Sequence, residues 1–266
     1  MAKANMHVEL IAHTPEPERL IATAAKLCYS PSCVSDLMES MSDAQVQKFL
    51  ERLNSMGHES PIEHVSFSFA VEGVSRVLET QLVRHRLASY SIQSGRYVKR
   101  LDPEFVYPRH IARIEEAKAR YEHHLEESVE AYNDMVDIIL KQLIREYLNL
   151  EEGVEVSLTD FYDEDRKTYL RLEKEAIEDA RYAYPQGLAT KIFMTMNART
   201  LMNFLKHRAC RRAQDEINQL AWEIRDLIQP VAPTLAKAMG PSCATKGKCS
   251  EGPMCCGRPY PRINEE

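Results

Sequence analysis

The sequence predicts an α+β fold, with a mixed antiparallel sheet and long helices in a single domain. Three observations carry that expectation. Short stretches with a two-residue apolar period stand beside long stretches with the three-to-four-residue period of a helix. The two kinds do not alternate in the regular strand–helix–strand order of a parallel sheet. A length of 266 residues with 44% apolar side chains suits one large domain, which buries about three-quarters of its unfolded surface.

In chain order, residues 7–12 read as a short strand with Val8, Leu10 and Ala12 on one face. Thr14-Pro15 looks like an N-cap followed by proline at the first helical position, opening a helix to about Leu27. Ser42-Asp43-Ala44-Gln45 has capping-box spacing before Val46, Phe49, Leu50 and Leu53, and Gly57 supplies a left-handed stop. Residues 65–71 are the clearest strand. Val65, Phe67, Phe69 and Val71 face one way, Ser66, Ser68 and Ala70 the other, until Gly73 breaks the run. Ser75 can cap a following helix that carries Val77, Leu78, Leu82 and Arg84-His85-Arg86.

Over residues 111–150 a helical stripe recurs as Ile114, Ala117, Tyr121, Leu125, Tyr132, Ile139, Leu143 and Tyr147, and Gly153 fits its stop. A second helix is expected over 163–184, ending before Pro185. Residues 190–196 read as a strand, and 200–207 and 215–228 as helices, with Pro230 and Pro233 forbidding continuation. The main domain is expected to cover 1–240, followed by a flexible, Cys-rich tail at 241–266.

A net charge of −6 argues against the molecule as a whole binding nucleic acid. No apolar run approaches the roughly 20 residues that span a bilayer. The opening MAKANMHVEL lacks the apolar stretch of a secretory signal. A cytoplasmic protein with no membrane contact is expected. Of the seven cysteines, Cys28, Cys33 and Cys210 then read as free thiols. Cys243, Cys249, Cys255 and Cys256 lack both paired C-x-x-C spacing and histidine, so no metal is expected.

Three segments could carry chemistry. Arg84-His85-Arg86 is followed after seven residues by Ser94-Gly95-Arg96. Guanidinium forks suit phosphate oxygens, and a hydroxyl and an open backbone amide add neutral donors beside them. Acids that would neutralise this cluster are scarce in LASYSIQSGRY. The loop GHESPIEH, residues 57–64, holds two His and two Glu, but not at the spacing that sets two imidazoles on one helical face. It suits a ligand-contacting loop or a local hydrogen-bond network better than a metal. In Asn197-Ala198-Arg199 and onward, Arg199, Asn203 and His207 share one stripe of a helix. Cys210 could be a nucleophile, with only adjacent basic residues to lower its pKa.

Taken in order, these segments resemble the flavin-dependent thymidylate synthase family. Arg84-His85-Arg86 through Ser94-x-Arg96 has the family's full RHR-x7-S-x-R spacing. GHESPIEH upstream and NARTLMNFLKHR downstream are similar to further family patterns. The resemblance implies a homotetrameric α+β enzyme that methylates dUMP to dTMP. It implies carbon from 5,10-methylenetetrahydrofolate and reducing equivalents from NADPH through FAD, in sites assembled between subunits. By motif position it gives Gln81, Arg84, Gln93, Ser94, Gly95, Arg96 and Arg181 to dUMP. To FAD it gives His58, Ser60, Arg84, His85, Arg86, Asn197, Arg199 and Asn203, with His58 near the folate as well. It makes Arg208 the catalytic arginine, favouring ionisation at N3 of the uracil. Ile92 departs from the pattern, standing where the family carries Glu or Gln. The rival is a nucleic-acid-binding protein with a basic face from residues 84–100 and 206–212. Tyr90, Tyr97 and Tyr107 would offer its stacking rings.

Overall fold

The computed structural model describes residues 2–96 and 102–263. Tyr97 and Arg100, which the sequence offered to a basic face, lie outside the described residues. The chain divides into two compact units, each drawn from three stretches: residues 1–5, 75–77 and 92–190 in one, and 6–74, 78–91 and 191–266 in the other.

The elements begin with β1 (Ala2–Lys3), β2 (His7–His13), α1 (Pro17–Leu27), α2 (Val34–Ser40) and α3 (Asp43–Met56). Then come β3 (Ser66–Ser75), α4 (Arg76–Leu82), β4 (Ala88–Ile92), β5 (Glu104–Phe105), α5 (Arg109–Arg113) and α6 (Glu115–Tyr147). The series closes with α7 (Leu158–Glu164), α8 (Arg166–Ala180), β6 (Ala189–Asn197), α9 (Ala198–Arg208), α10 (Asp215–Ile228), α11 (Pro233–Lys237) and α12 (Ser242–Lys246). The fold is α+β, as the pattern predicts.

A four-stranded sheet in the order β2-β3-β6-β4 organises the second unit. β2 and β3 are antiparallel, with Val8 opposite Val71 and His13 opposite Phe67. The alternation read from the sequence holds, burying Phe67, Phe69 and Val71. Gly73 does not end the strand. Its φ of +65° lies in the region glycine enters without penalty, and the strand continues to Ser75. At its start, the Val65 carbonyl accepts a hydrogen bond from Ala198 N–H at 2.7 Å, tying the strand to the first residue of α9.

In this unit the boundaries of α1 and α4 differ from expectation for clear reasons. α1 opens at Pro17 rather than Pro15, because the Thr14 hydroxyl accepts the Ser66 N–H at 3.0 Å and so belongs to the sheet. α4 stops at Leu82, leaving Arg84-His85-Arg86 in the turn that follows instead of on a helix. That turn is held by His85 N–H to Leu82 C=O at 3.0 Å. α3 has the expected capping box at Ser42 and a left-handed Gly57 at its end. The α10 boundaries are those read from the pattern.

The first unit is built on α6 and α8, which pack together. Leu125, Ser128, Tyr132, Val136, Leu140 and Ile144 are the buried face of α6, in steps of three and four. Opposite them stand Leu172, Ala176, Ile177 and Ala180. The expected stripe shares Leu125 and Tyr132 with this face, whereas Ile114 and Tyr147 stay half-exposed. The helix expected over 163–184 is divided at Asp165 into α7 and α8. The Asp165 carboxylate accepts the Thr168 N–H at 3.1 Å, capping α8. β1 and β5 pair in parallel, so the strands are not all antiparallel. No helix among the described residues is long and apolar enough to cross a membrane.

Candidate active site

In the second unit a cavity of about 770 Å³ falls within the roughly 300–1,000 Å³ range of small-molecule sites. Three local structures build it. The turn after α4 presents Arg84, His85 and Arg86; the start of α9 presents Asn197, Arg199 and Asn203; the short helical turn at Ser60–His64 and the residue before it bring Glu59 and Glu63. The first six of these are among the eight residues that the family resemblance gives to FAD. His58 and Ser60 are exposed and do not line the cavity.

Each side chain is set by a local cause. Asn197 is the N-cap of α9, its Oδ1 accepting the Thr200 N–H at 2.8 Å. Two residues on, Arg199 donates from Nε to Glu59 at 3.2 Å and from a terminal nitrogen to Glu63. The helical stripe facing the cavity is Arg199, Met202, Asn203 and Lys206, so it turns toward Lys206 and leaves out His207. With both acids engaged by Arg199, the cations Arg84, Arg86, Lys206 and Lys246 stand in no ion pair among the described residues. A pocket with this imbalance favours an anion.

Behind the cavity, Arg208 Nε donates to His85 Nε2 at 3.2 Å. The imidazole stands edge-on to the Phe204 ring, centroids 5.0 Å apart. Burial, then the Arg208 guanidinium and His207, lowers the His85 pKa to about 4. His85 is therefore neutral near pH 7 and accepts at Nε2, with its proton on Nδ1. Asn218 fixes the same corner, donating to the carbonyls of Arg208 at 2.9 Å and Cys210 at 3.0 Å. Tyr90 donates its hydroxyl to the carbonyls of Leu82 and His85 at 2.9 and 3.0 Å. Burial pushes that phenol up to about 12.

The residues assigned to dUMP fall in two places. Gln81 and Arg84 are in the second unit, where Gln81 hydrogen-bonds Gln214 before α10. Gln93, Ser94, Gly95, Arg96 and Arg181 are in the first. There Arg96 N–H donates to Ser94 Oγ at 3.1 Å, and its guanidinium pairs with Glu178 at 3.3 Å. The Arg181 side chain passes 3.6 Å from where a Cβ on Gly95 would stand. A side chain at Gly95 would meet that arginine. Sequence reasoning gave Lys206 only to the rival basic face and missed the C-terminal residues Gly240, Ser242, Thr245 and Lys246 of the cavity wall. Lys206 was findable, seven residues after Arg199 on a helix. The others lie in a segment without periodicity.

A cavity of this size, with cations in no ion pair among the described residues, side-chain amides and a neutral histidine beside a half-buried arginine, marks the chain as one with a site suited to a small anionic ligand. Residues 9–234 match the family model described as thymidylate synthase complementing protein. A flavin-dependent thymidylate synthase of Clostridium tetani is 47% identical over 251 residues, 94% of this chain and 93% of that one. Those of Geobacter sulfurreducens and Nitratidesulfovibrio vulgaris are 39% and 40% identical, over 95% and 98% of this chain and 94% and 98% of their own. The chain belongs to the flavin-dependent thymidylate synthase family.

Proposed function

We infer that the chain catalyses its family's reaction, the reductive methylation of dUMP to dTMP. 5,10-Methylenetetrahydrofolate gives the carbon and NADPH the reducing equivalents, by way of FAD. The observation that supports this most is the cavity in which the RHR turn and α9 meet. Its unpaired cations suit the pyrophosphate of FAD, and its asparagine amides suit the polar edge of a ring system. Arg84, His85, Arg86, Asn197, Arg199 and Asn203 hold the cofactor there, with His58 and Ser60 at the edge of the same site. When bound, FAD relays hydride equivalents from NADPH to the transferred carbon.

The dUMP contacts are Gln81, Arg84, Gln93, Ser94, Gly95, Arg96 and Arg181, with guanidinium groups on the phosphate. Arg208 favours the anionic form of the uracil at N3. It can do so because its hydrogen-bond partner His85 is neutral and leaves the guanidinium charge uncompensated. In the family's manner the active protein is a homotetramer in the cytoplasm, its sites completed between subunits. The main body is residues 1–240, with the Cys-rich segment 241–266 following.

The test is anaerobic. Photoreduced, FAD-loaded enzyme is mixed with dUMP and methylenetetrahydrofolate, and flavin reoxidation and dTMP are followed. Both appear only with dUMP present. Arg208→Ala lowers dTMP formation by about 100-fold or more, the usual cost of one charge-stabilising donor, while FAD stays bound. Turnover without flavin, or full activity of Arg208→Ala, overturns the assignment.

A further inference from the structure

We propose that the C-terminal segment is part of the FAD site, with Lys246 as a cationic contact to the cofactor. This rests on the cavity being where FAD binds. The family match ends at residue 234, yet Ser242, Thr245 and Lys246 of α12 line the same cavity as the RHR turn. Lys246 is exposed and makes no ion pair among the described residues. A lysine ammonium kept free beside Arg84, Arg86 and Lys206 adds to their repulsion unless an anion joins them.

The segment is fastened where it can hold that lysine. Ala244, two residues before Lys246, is buried. Its carbonyl accepts the Ile263 N–H at 3.0 Å, folding the end of the segment back onto α12. Tyr260 packs against Trp222 of α10 with centroids 4.9 Å apart, and the Arg211 guanidinium covers the Tyr260 ring at 4.0 Å. Arg212 pairs with Glu251 at 3.2 Å. The ring contact thus joins the segment to α10, and the Arg211 and Arg212 contacts join it to the stretch just after α9, the helix that supplies Arg199, Asn203 and Lys206 to the cavity.

The experiment titrates FAD into apoprotein and follows quenching of flavin fluorescence, with melting temperature measured for every variant. Lys246→Ala weakens FAD binding about tenfold, the scale of one charged hydrogen bond. Lys246→Arg stays within about threefold of wild type. Tyr260→Ala, which releases the fastening, weakens binding, and Lys246→Ala added to it weakens it little further. Unchanged FAD affinity in folded Lys246→Ala overturns the proposal while the assignment of the cavity stands. A wild-type protein that binds no FAD overturns both.

Discussion

At the scale of the residue, the pairing of His85 with Arg208 sets a testable pH dependence. Folding lowers the His85 pKa from 6.5 to about 4. The unfolded chain therefore takes up this proton first as pH falls. The contribution is fully present above about pH 6.5 and is lost progressively toward about pH 4. Replacing His85 with Asn removes it, and urea midpoints measured at intervals between those limits should fall less steeply than in wild type. An equally steep fall would mean that the imidazole is not shielded. Cys210→Ala should retain turnover, measured as dTMP formed, since the proposed reaction runs through arginine and flavin and calls on no thiol nucleophile. The site's cations were legible because guanidinium chemistry is local: RHR-x7-S-x-R states its donors outright. Their partners were not. That Glu59 and Glu63 converge on Arg199 depends on β3 carrying the GHESPIEH loop to the start of α9, a contact across more than a hundred residues that no spacing encodes.

Elements were legible where a terminus announces itself. Ser42 and Gly57 bracket α3 by side-chain and backbone geometry that the sequence spells out. A Cβ at Gly57 would meet nothing within 4 Å, yet φ is +70°, so Gly57→Ala should cost about 1 kcal/mol from conformation alone; thermal unfolding measures it. Within α6, Leu140→Ala should cost about 2–5 kcal/mol because the residue is buried against the neighbouring core. The same change at half-exposed Tyr147 should cost less. The buried face of that helix was read in part, with Leu125 and Tyr132 at its centre and Tyr121, Ile139 and Leu143 at its margin, and the shift has a physical reason. Long amphipathic helices with apolar residues on more than one side leave the buried face to be chosen by the partner, and α8 chooses Val136, Leu140 and Ile144. Thr14 was misread in a similar way, because a hydroxyl able to cap a helix can equally serve a strand, and it pairs with Ser66.

For the molecule as a whole, an acidic chain of net charge −6 holds a cationic cavity, which separates solubility from ligand attraction. FAD binding should therefore weaken as salt is raised from low to physiological strength, where the screening length shortens to about 8 Å; the same fluorescence titration measures it. The fold also commits the chain to a particular order of completion. β2 ends at His13, and its packing partner α10 begins at Asp215. β2 thus emerges from the ribosome about 200 residues ahead of the helix that packs on it, a wait of roughly 10–40 s at ordinary synthesis rates. Through that interval Val8 and Leu10, half-buried in the finished fold, lack that helix. The nascent polypeptide is then a natural client for chaperones, and slowing translation near the end of the message should lower the yield of soluble product more than slowing it near the start.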